Sequence, residues 1–157
     1  ETYAAVTAVC LCLGVKPNWQ EMGEVVWPQS RMSERHHRSG AVIIDDAYNA
    51  NPLSYRVALQ YMQGKPKALL VLGEMGGLGD KADVYHGYLG HFLNYLGFES
   101  VWLIGEAHQA TLQTYLGEAR WFQNIEELKD ALVVELYPGR HVLVKGSRHL
   151  KLEALFQ

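Results

Sequence analysis

The sequence predicts an α/β fold, a mostly parallel sheet with helices on both faces, and three observations carry that expectation. Short apolar runs rich in Val, Ile and Leu alternate with amphipathic stretches from residue 41 to the end, the pattern of strands joined by crossover helices. The run Val42-Ile43-Ile44 is apolar at every position and stops abruptly at Asp45-Asp46, as a strand buried on both faces does. In the stretch Tyr85 to Leu96, Leu89, Phe92, Leu93 and Leu96 recur at the i, i+3, i+4, i+7 spacing of a core-facing helical stripe.

Taken in chain order, Thr2 to Leu13 is rich in Ala, Val, Leu and Cys and ends at Gly14, which predicts a buried helix with a glycine cap. Cys10 and Cys12 lie two apart in it. On a helix they point in different directions, so buried free thiols are expected rather than a disulfide or a metal site. A short helix is predicted over Trp19 to Val25, broken by Trp27-Pro28-Gln29-Ser30. Arg31 to Arg38 alternates loosely and reads as an edge strand turning at Ser39-Gly40. Strands are then predicted at Ala41–Asp45, Ala68–Leu72, Ser100–Ile104, Ala119–Phe122 and His141–Val144. Helices are predicted at Leu53–Met62, Ala82–Leu96, Ala107–Tyr115, Ile125–Leu136 and Leu150–Phe156.

Composition narrows the function. The 157 residues suffice for one well-buried domain. With 14 basic and 17 acidic residues the net charge is −3, so no global field favours nucleic acid or an anionic membrane, and phosphate binding must be local. No apolar run reaches membrane-span length and the first residues lack a signal-peptide pattern. A cytoplasmic protein is expected.

In open α/β sheets ligands gather beyond the carboxyl ends of the strands, so the candidate residues cluster there. Asp45 and Asp46 close a strand, where a carboxylate either accepts both hydroxyls of a ribose or caps loop N–H groups. Asn51 before Pro52 suits a helix N-cap. Tyr48, Asn49 and Asn51 offer donors and acceptors for a zwitterion, or alternatively serve the turn. Gly73-Glu74-Met75-Gly76-Gly77-Leu78-Gly79 is neither G-x-G-x-x-G nor a P-loop. Lys145-Gly146-Ser147-Arg148 ends the last strand. Two cations at a helix start oppose its dipole, and Lys145 and Arg148 are therefore expected to need a carboxylate or phosphate from a substrate. Glycine at 146 is expected to let the backbone approach that ligand. His86 is read as a helix residue facing the site or the sheet edge, and His36 and His37 as solvated strand residues.

The run Asp45-Asp46-Ala47-Tyr48-Asn49-Ala50-Asn51-Pro52-Leu53-Ser54 resembles the D-D-x-Y-N-A-N-P-x-S signature of the bacterial Mur ligases that add D-alanyl-D-alanine. Arg31-Met32 upstream, Val71-Leu72-Gly73-Glu74-Met75 with Leu78-Gly79 and His86 downstream, and Val144-Lys145-Gly146-Ser147-Arg148 near the end keep the family's order. The resemblance implies a Rossmann-like Mur ligase C-terminal domain over residues 31–157, with residues 1–30 the end of a central ATP-binding domain and its linker. It implies an enzyme that phosphorylates the tripeptide carboxylate of UDP-N-acetylmuramoyl-tripeptide with ATP, after which the amine of D-Ala-D-Ala attacks. By the same resemblance Arg31 and Asp46 bind ATP, Asp46 through the ribose, and Asp45 is structural. With the loop from Tyr48 to Asn51 lining the family's amino-acid substrate site and an anion needed at the last strand end, Tyr48, Asn49, Asn51, Lys145, Ser147 and Arg148 are expected to bind the amino-acid substrate. No catalytic residue or metal ligand is assigned to these residues, and Mg²⁺ and the triphosphate fall mainly to the central domain, since G-x-x-x-x-G-K-[ST] is absent from the sequence. The sequence departs from the family at Ser30, where glycine is usual, and at Gly77, where an acid is usual. Two other readings remain: a Mur-type ligase for another amino acid, against which Tyr48-Asn49-Ala50-Asn51-Pro52 argues, and a non-catalytic receiver-like module, against which the lack of an Asp after Ala68–Leu72 argues.

Overall fold

The chain is described from a computed structural model that covers residues 2–16 and 30–156. The elements in chain order are helix α1 (Thr2–Cys12), β1 (Ser33–His36), β2 (Val42–Asp46), α2 (Pro52–Met62), β3 (Ala68–Gly73), α3 (Ala82–Leu96), β4 (Val101–Ile104), α4 (His108–Thr114), β5 (Ala119–Phe122), α5 (Ile125–Glu135) and β6 (His141–Lys145). The expected helix at Trp19 to Val25 lies outside the described residues.

The six strands form one sheet in the order β1-β2-β6-β3-β4-β5. Only β1 runs antiparallel, paired to β2 through the turn at Ser39-Gly40. All other neighbours are parallel, and β6 lies between β2 and β3. Alternate strand residues feed opposite layers. Ile44, Leu70, Leu72 and Leu143 pack on one face with Tyr55, Leu59 and Met62 of α2 and Leu89 and Leu93 of α3. Ile43, Leu69, Val71, Val142 and Val144 pack on the other with Leu128 and Leu132 of α5 and with Leu152 and Leu155. Each such side chain contributes about 1.5–3 kcal/mol by leaving water, so the doubly covered strands hold the sheet rigid under its loops.

Helix α2 starts where the sequence places it. Asn51 is the N-cap: its Oδ1 accepts from the Ser54 amide at 2.9 Å, and its own amide donates to Ser54 Oγ at 3.1 Å. At the closing end of β3 and β6 two glycines meet. A Cβ on Gly146 would stand 3.0 Å from the Gly73 Cα and 2.6 Å from Leu152 Cδ1. Gly146 thus admits the neighbouring strand and a core leucine, not a ligand as expected from sequence.

Three further expectations are corrected. The chain after β6 forms two 3-10 turns, Arg148–Leu150 and Leu152–Phe156, in place of one α-helix, because Lys151 takes the left-handed conformation, φ 51°, which interrupts helical hydrogen bonding. The second half of helix α1 is exposed rather than buried, with Val9 and Leu11, and Leu13 just after it, open to solvent. The thiols on it are free, as expected, but Cys10 is half-buried and Cys12 exposed.

Candidate functional site

Strand β2 extends one residue further than its sequence pattern suggests and carries Asp45 and Asp46 side by side into the loop. Alternation then gives the two carboxylates different surroundings. Asp45 is fully buried. Its Oδ2 accepts from the Ser30 hydroxyl at 3.0 Å and from Arg35, whose Nη2 lies at 2.8 Å, and its Oδ1 accepts from the Ala47 amide at 3.2 Å. It is saturated by the protein and structural, as the family resemblance implies.

Asp46 faces the opening and stands in register with Lys145 on β6. Lys145 Nζ donates to Asp46 Oδ2 at 2.7 Å and to the Asn49 carbonyl at 3.0 Å. The Met32 amide donates to Asp46 Oδ1 at 3.1 Å. A carboxylate has about four lone-pair sites, so Asp46 keeps acceptor capacity toward solvent, where its side chain is 12 % exposed. Burial pushes the Lys145 ammonium below its usual pKa, opposed by the adjacent Asp46. Its Nζ also stands 5.3 Å from the centre of the Tyr55 ring. The Tyr55 hydroxyl donates to the Gly73 carbonyl and lies 3.2 Å from that of Lys145, and burial raises its pKa well above the ordinary value, so it stays a neutral donor.

Around Asp46 opens a cleft of about 340 Å³ lined by Arg31, Met32, Asp46, Tyr48, Asn49, Asn51, Ser54 and Lys145. Six of the eight residues expected to bind ligands are therefore together. The Arg31 guanidinium rests over the Tyr48 ring, 4.3 Å from its centre, and among the described residues no carboxylate is within ion-pair distance of it. A positive group held on an aromatic face at the mouth of the cleft can accept an anion. A larger opening of about 410 Å³ lies over β1 and α5, lined by Arg35, His36, His37, Lys129 and apolar side chains without a carboxylate or amide. It is away from the strand ends, and chemistry favours the smaller cleft.

The two remaining expected ligands lie beside the cleft. Ser147 is buried and its Oγ accepts from the Gly76 amide at 2.5 Å, stapling the loop after β6 to the loop after β3. Arg148 is 62 % exposed, pairs with Glu153 at 2.9 Å and stands 5.8 Å from the Tyr48 ring centre. The expectation that Lys145 and Arg148 lack an anion is thus corrected, for each has one within the chain. The helix dipole invoked there is also missing, since a three-residue 3-10 turn follows the strand.

His86 does not line the cleft. It is fully buried in α3, where its Nε2 accepts from the Met75 amide at 3.0 Å and its Nδ1 stands 2.7 Å from the Ala82 carbonyl, which fixes the Nδ1–H tautomer. Gly77 takes φ 73° in the same loop, a conformation that an acidic residue would enter only with strain. The sequence reading did not identify Glu74 as a working residue. Its Oε2 accepts from the Ala107 amide at 3.1 Å and its Oε1 lies 2.9 Å from His149 Nε2. Its place just past β3, like that of Asp46 at the end of β2, was the available signal. The linker anchors Ser30 and Met32 were also missed, since one acts through backbone and the other through a hydroxyl that sequence cannot aim.

Among the described residues no three His, Cys, Asp or Glu side chains come together to hold a metal ion, and no helix is long and apolar enough to cross a membrane. The sequence model of the family described as "Mur ligase, glutamate ligase domain" matches residues 30–148. The chain is 31% identical over 125 residues to the UDP-N-acetylmuramoyl-tripeptide–D-alanyl-D-alanine ligase of Bacillus subtilis, covering 74% of this chain and 27% of that protein. A crystal structure of MurF from Acinetobacter baumannii superposes with TM-score 0.80 at 29% identity, over 97% of this chain and 35% of the other. MurF ligase from Thermotoga maritima in complex with ADP also has TM-score 0.80, at 23% identity, over 98% and 36%. The chain spans roughly a quarter to a third of the length of these relatives.

Proposed function

The chain belongs to the Mur ligase family, through its glutamate ligase domain, and from that premise we propose that it forms the C-terminal domain of the ATP-dependent enzyme that adds D-Ala-D-Ala to UDP-N-acetylmuramoyl-tripeptide. The observation that carries the reading is the cleft in which the Asp46-to-Asn51 loop meets an arginine with no carboxylate partner among the described residues. In this reading the domain closes over nucleotide held by a central ATP-binding domain of the same protein, in the cytoplasm, and brings the dipeptide to it.

In this reading the side chains around the cleft divide the labour. Arg31 offers its guanidinium to phosphate. Asp46 offers its remaining lone pairs to the ribose hydroxyls. Asn49 and Asn51 line the cleft with amides, and Arg148, exposed beside Tyr48, reads the dipeptide carboxylate. Catalysis in such a site rests on positioning and on cations that offset phosphate charge. Mg²⁺ finds no ligand set among the described residues, and in this reading the central domain holds it.

The test uses the full-length ligase. Product formation from UDP-N-acetylmuramoyl-tripeptide is followed by mass spectrometry with D-Ala-D-Ala, D-glutamate and meso-diaminopimelate as alternative amines. Product with D-Ala-D-Ala alone is expected, and product with another amine alone would overturn the assignment. In the same protein Asp46→Asn should weaken ATP by about 1.5–3 kcal/mol, the worth of a hydrogen bond to a charged group, and weaken 2′-deoxy-ATP less. Equal losses for both nucleotides would show that Asp46 does not read the ribose.

A further inference from the structure

Lys145 stands in the candidate substrate site, yet it is fully buried and its ammonium is already spent on two protein oxygens, Asp46 Oδ2 at 2.7 Å and the Asn49 carbonyl at 3.0 Å. Those partners belong to the two ligand-facing parts of the cleft, the carboxylate and the amide loop. Asp46 in turn holds the linker: its other oxygen accepts from the Met32 amide at 3.1 Å. Ser30 and Met32, on either side of Arg31, both have the left-handed backbone that side chains avoid, φ 60° and 53°. A turn of that kind persists only when its surroundings hold it. The clamps are visible: Ser30 Oγ on Asp45 at 3.0 Å, the Tyr48 amide on the Ser30 carbonyl at 3.0 Å, and the Met32 amide on Asp46.

We propose that Lys145 is a positioning residue that touches no substrate: by fixing Asp46 and the Asn49 carbonyl it sets the ribose-facing carboxylate, the amide loop and, through Met32, Arg31. One ammonium on the central strand β6 thereby joins the linker, the end of β2 and the following loop into a single rigid rim. The sign of the pair fits this role. A buried carboxylate keeps its charge only beside a compensating cation, and a lysine at the cleft wall with no exposed side-chain surface and its ammonium held by two protein oxygens orients a ligand-binding group rather than a ligand.

The proposal rests on the nucleotide reading of the cleft, and its test separates the two. ADP affinity of the full-length protein is measured by titration calorimetry for wild type, Asp46→Asn, Lys145→Met and the double variant. Lys145 acting through Asp46 predicts at least a tenfold loss for each single change and a double variant within about twofold of Asp46→Asn, because coupled residues do not add. If Lys145→Met does not fold, the comparison of Asp46→Asn with the double variant decides alone, since the double variant leaves no unpaired buried charge. A second readout is KM for D-Ala-D-Ala and for its C-terminal amide, which Lys145→Met should raise by the same factor. Losses that multiply in the double variant, unchanged ADP affinity in Lys145→Met, or a rise confined to the free-acid dipeptide would overturn the positioning role. Wild type that binds no ADP would instead overturn the proposed function and the premise of the latch with it.

Discussion

Ser30 shows how much a single residue can hide and reveal. The family pattern has glycine at this position, and the reason is the backbone, which takes φ 60° there and costs a residue with a Cβ about 1 kcal/mol or more. The hydroxyl that replaces glycine's freedom donates to buried Asp45, a bond of similar worth, so the departure is tolerated. The acid pair and the amide loop were legible from sequence because they sit where a strand ends, whereas Arg31, which precedes β1, was singled out by the family resemblance. The partner of Lys145 was not, since Asp46 lies 99 residues away and only the parallel register of β2 with β6 brings them together. His108 was also silent in the sequence. It is fully buried, edge-on to His86 with ring centres 5.0 Å apart, and its Nε2 has no hydrogen-bond partner among the described residues. Burial, reinforced by His86, lowers its pKa from 6.5 to about 3, which the nearby Leu72 and Gly73 carbonyls only partly oppose. The unfolded chain therefore binds a proton between pH 6.5 and about 3 that the folded chain refuses. Stability should fall as pH drops through that window, by at most about 1.4 kcal/mol per unit from this group. Urea denaturation from pH 7 to 4 should show a shallower decline for His108→Asn than for wild type, and parallel curves would remove His108 from the account.

At the scale of elements, periodicity told most of the story. The bounds of α3 and β5 agree with the sequence reading residue for residue, β3, β4 and β6 differ by a residue at one end, β2 is shifted by one residue, and β1 is two residues shorter at each end. The segment after β6 misled because Leu152 and Leu155 keep a spacing that a helix would bury, while the chain buries them through 3-10 turns instead. The apolar composition of α1 misled differently, for it predicts burial without saying against what. Packing between α3 and α4 depends on a feature no pattern announces, the absence of a side chain at Gly90. A Cβ there would stand 2.1 Å from Thr114 Oγ1, 2.7 Å from the Thr111 carbonyl and 2.9 Å from the Tyr115 amide. Two of these are backbone atoms, so rotamer changes cannot make room. Gly90→Ala gains helix propensity of up to about 1 kcal/mol but forces the helices apart, and overpacking costs about 1–3 kcal/mol or more. Net destabilisation of about 1–2 kcal/mol is expected from thermal and urea unfolding, and a variant as stable as wild type would show that α4 yields freely.

For the molecule as a whole, the sheet covered on both faces was expected from the alternation of strand and helix, but the strand order was not. The two core layers, each built on alternate residues of the same strands, predict that the chain of 157 residues unfolds in one cooperative transition from β2 to β6. The same chain should release no phosphate from ATP above background, because the sequence has no loop to cradle a triphosphate. Phosphate release by the purified chain would show that the cleft around Asp46 acts unaided. The place of β6 between β2 and β3 has a further consequence at the ribosome. The strand that joins the two halves of the sheet is the last to be synthesised, so the nascent chain must wait with the facing edges of β2 and β3 unpaired until residue 145 clears the exit tunnel. Over that interval two apolar strand edges are open to any passing β-strand, and the protein's yield in the cell depends on how fast the stretch from β3 to β6 is translated and how well chaperones cover the gap.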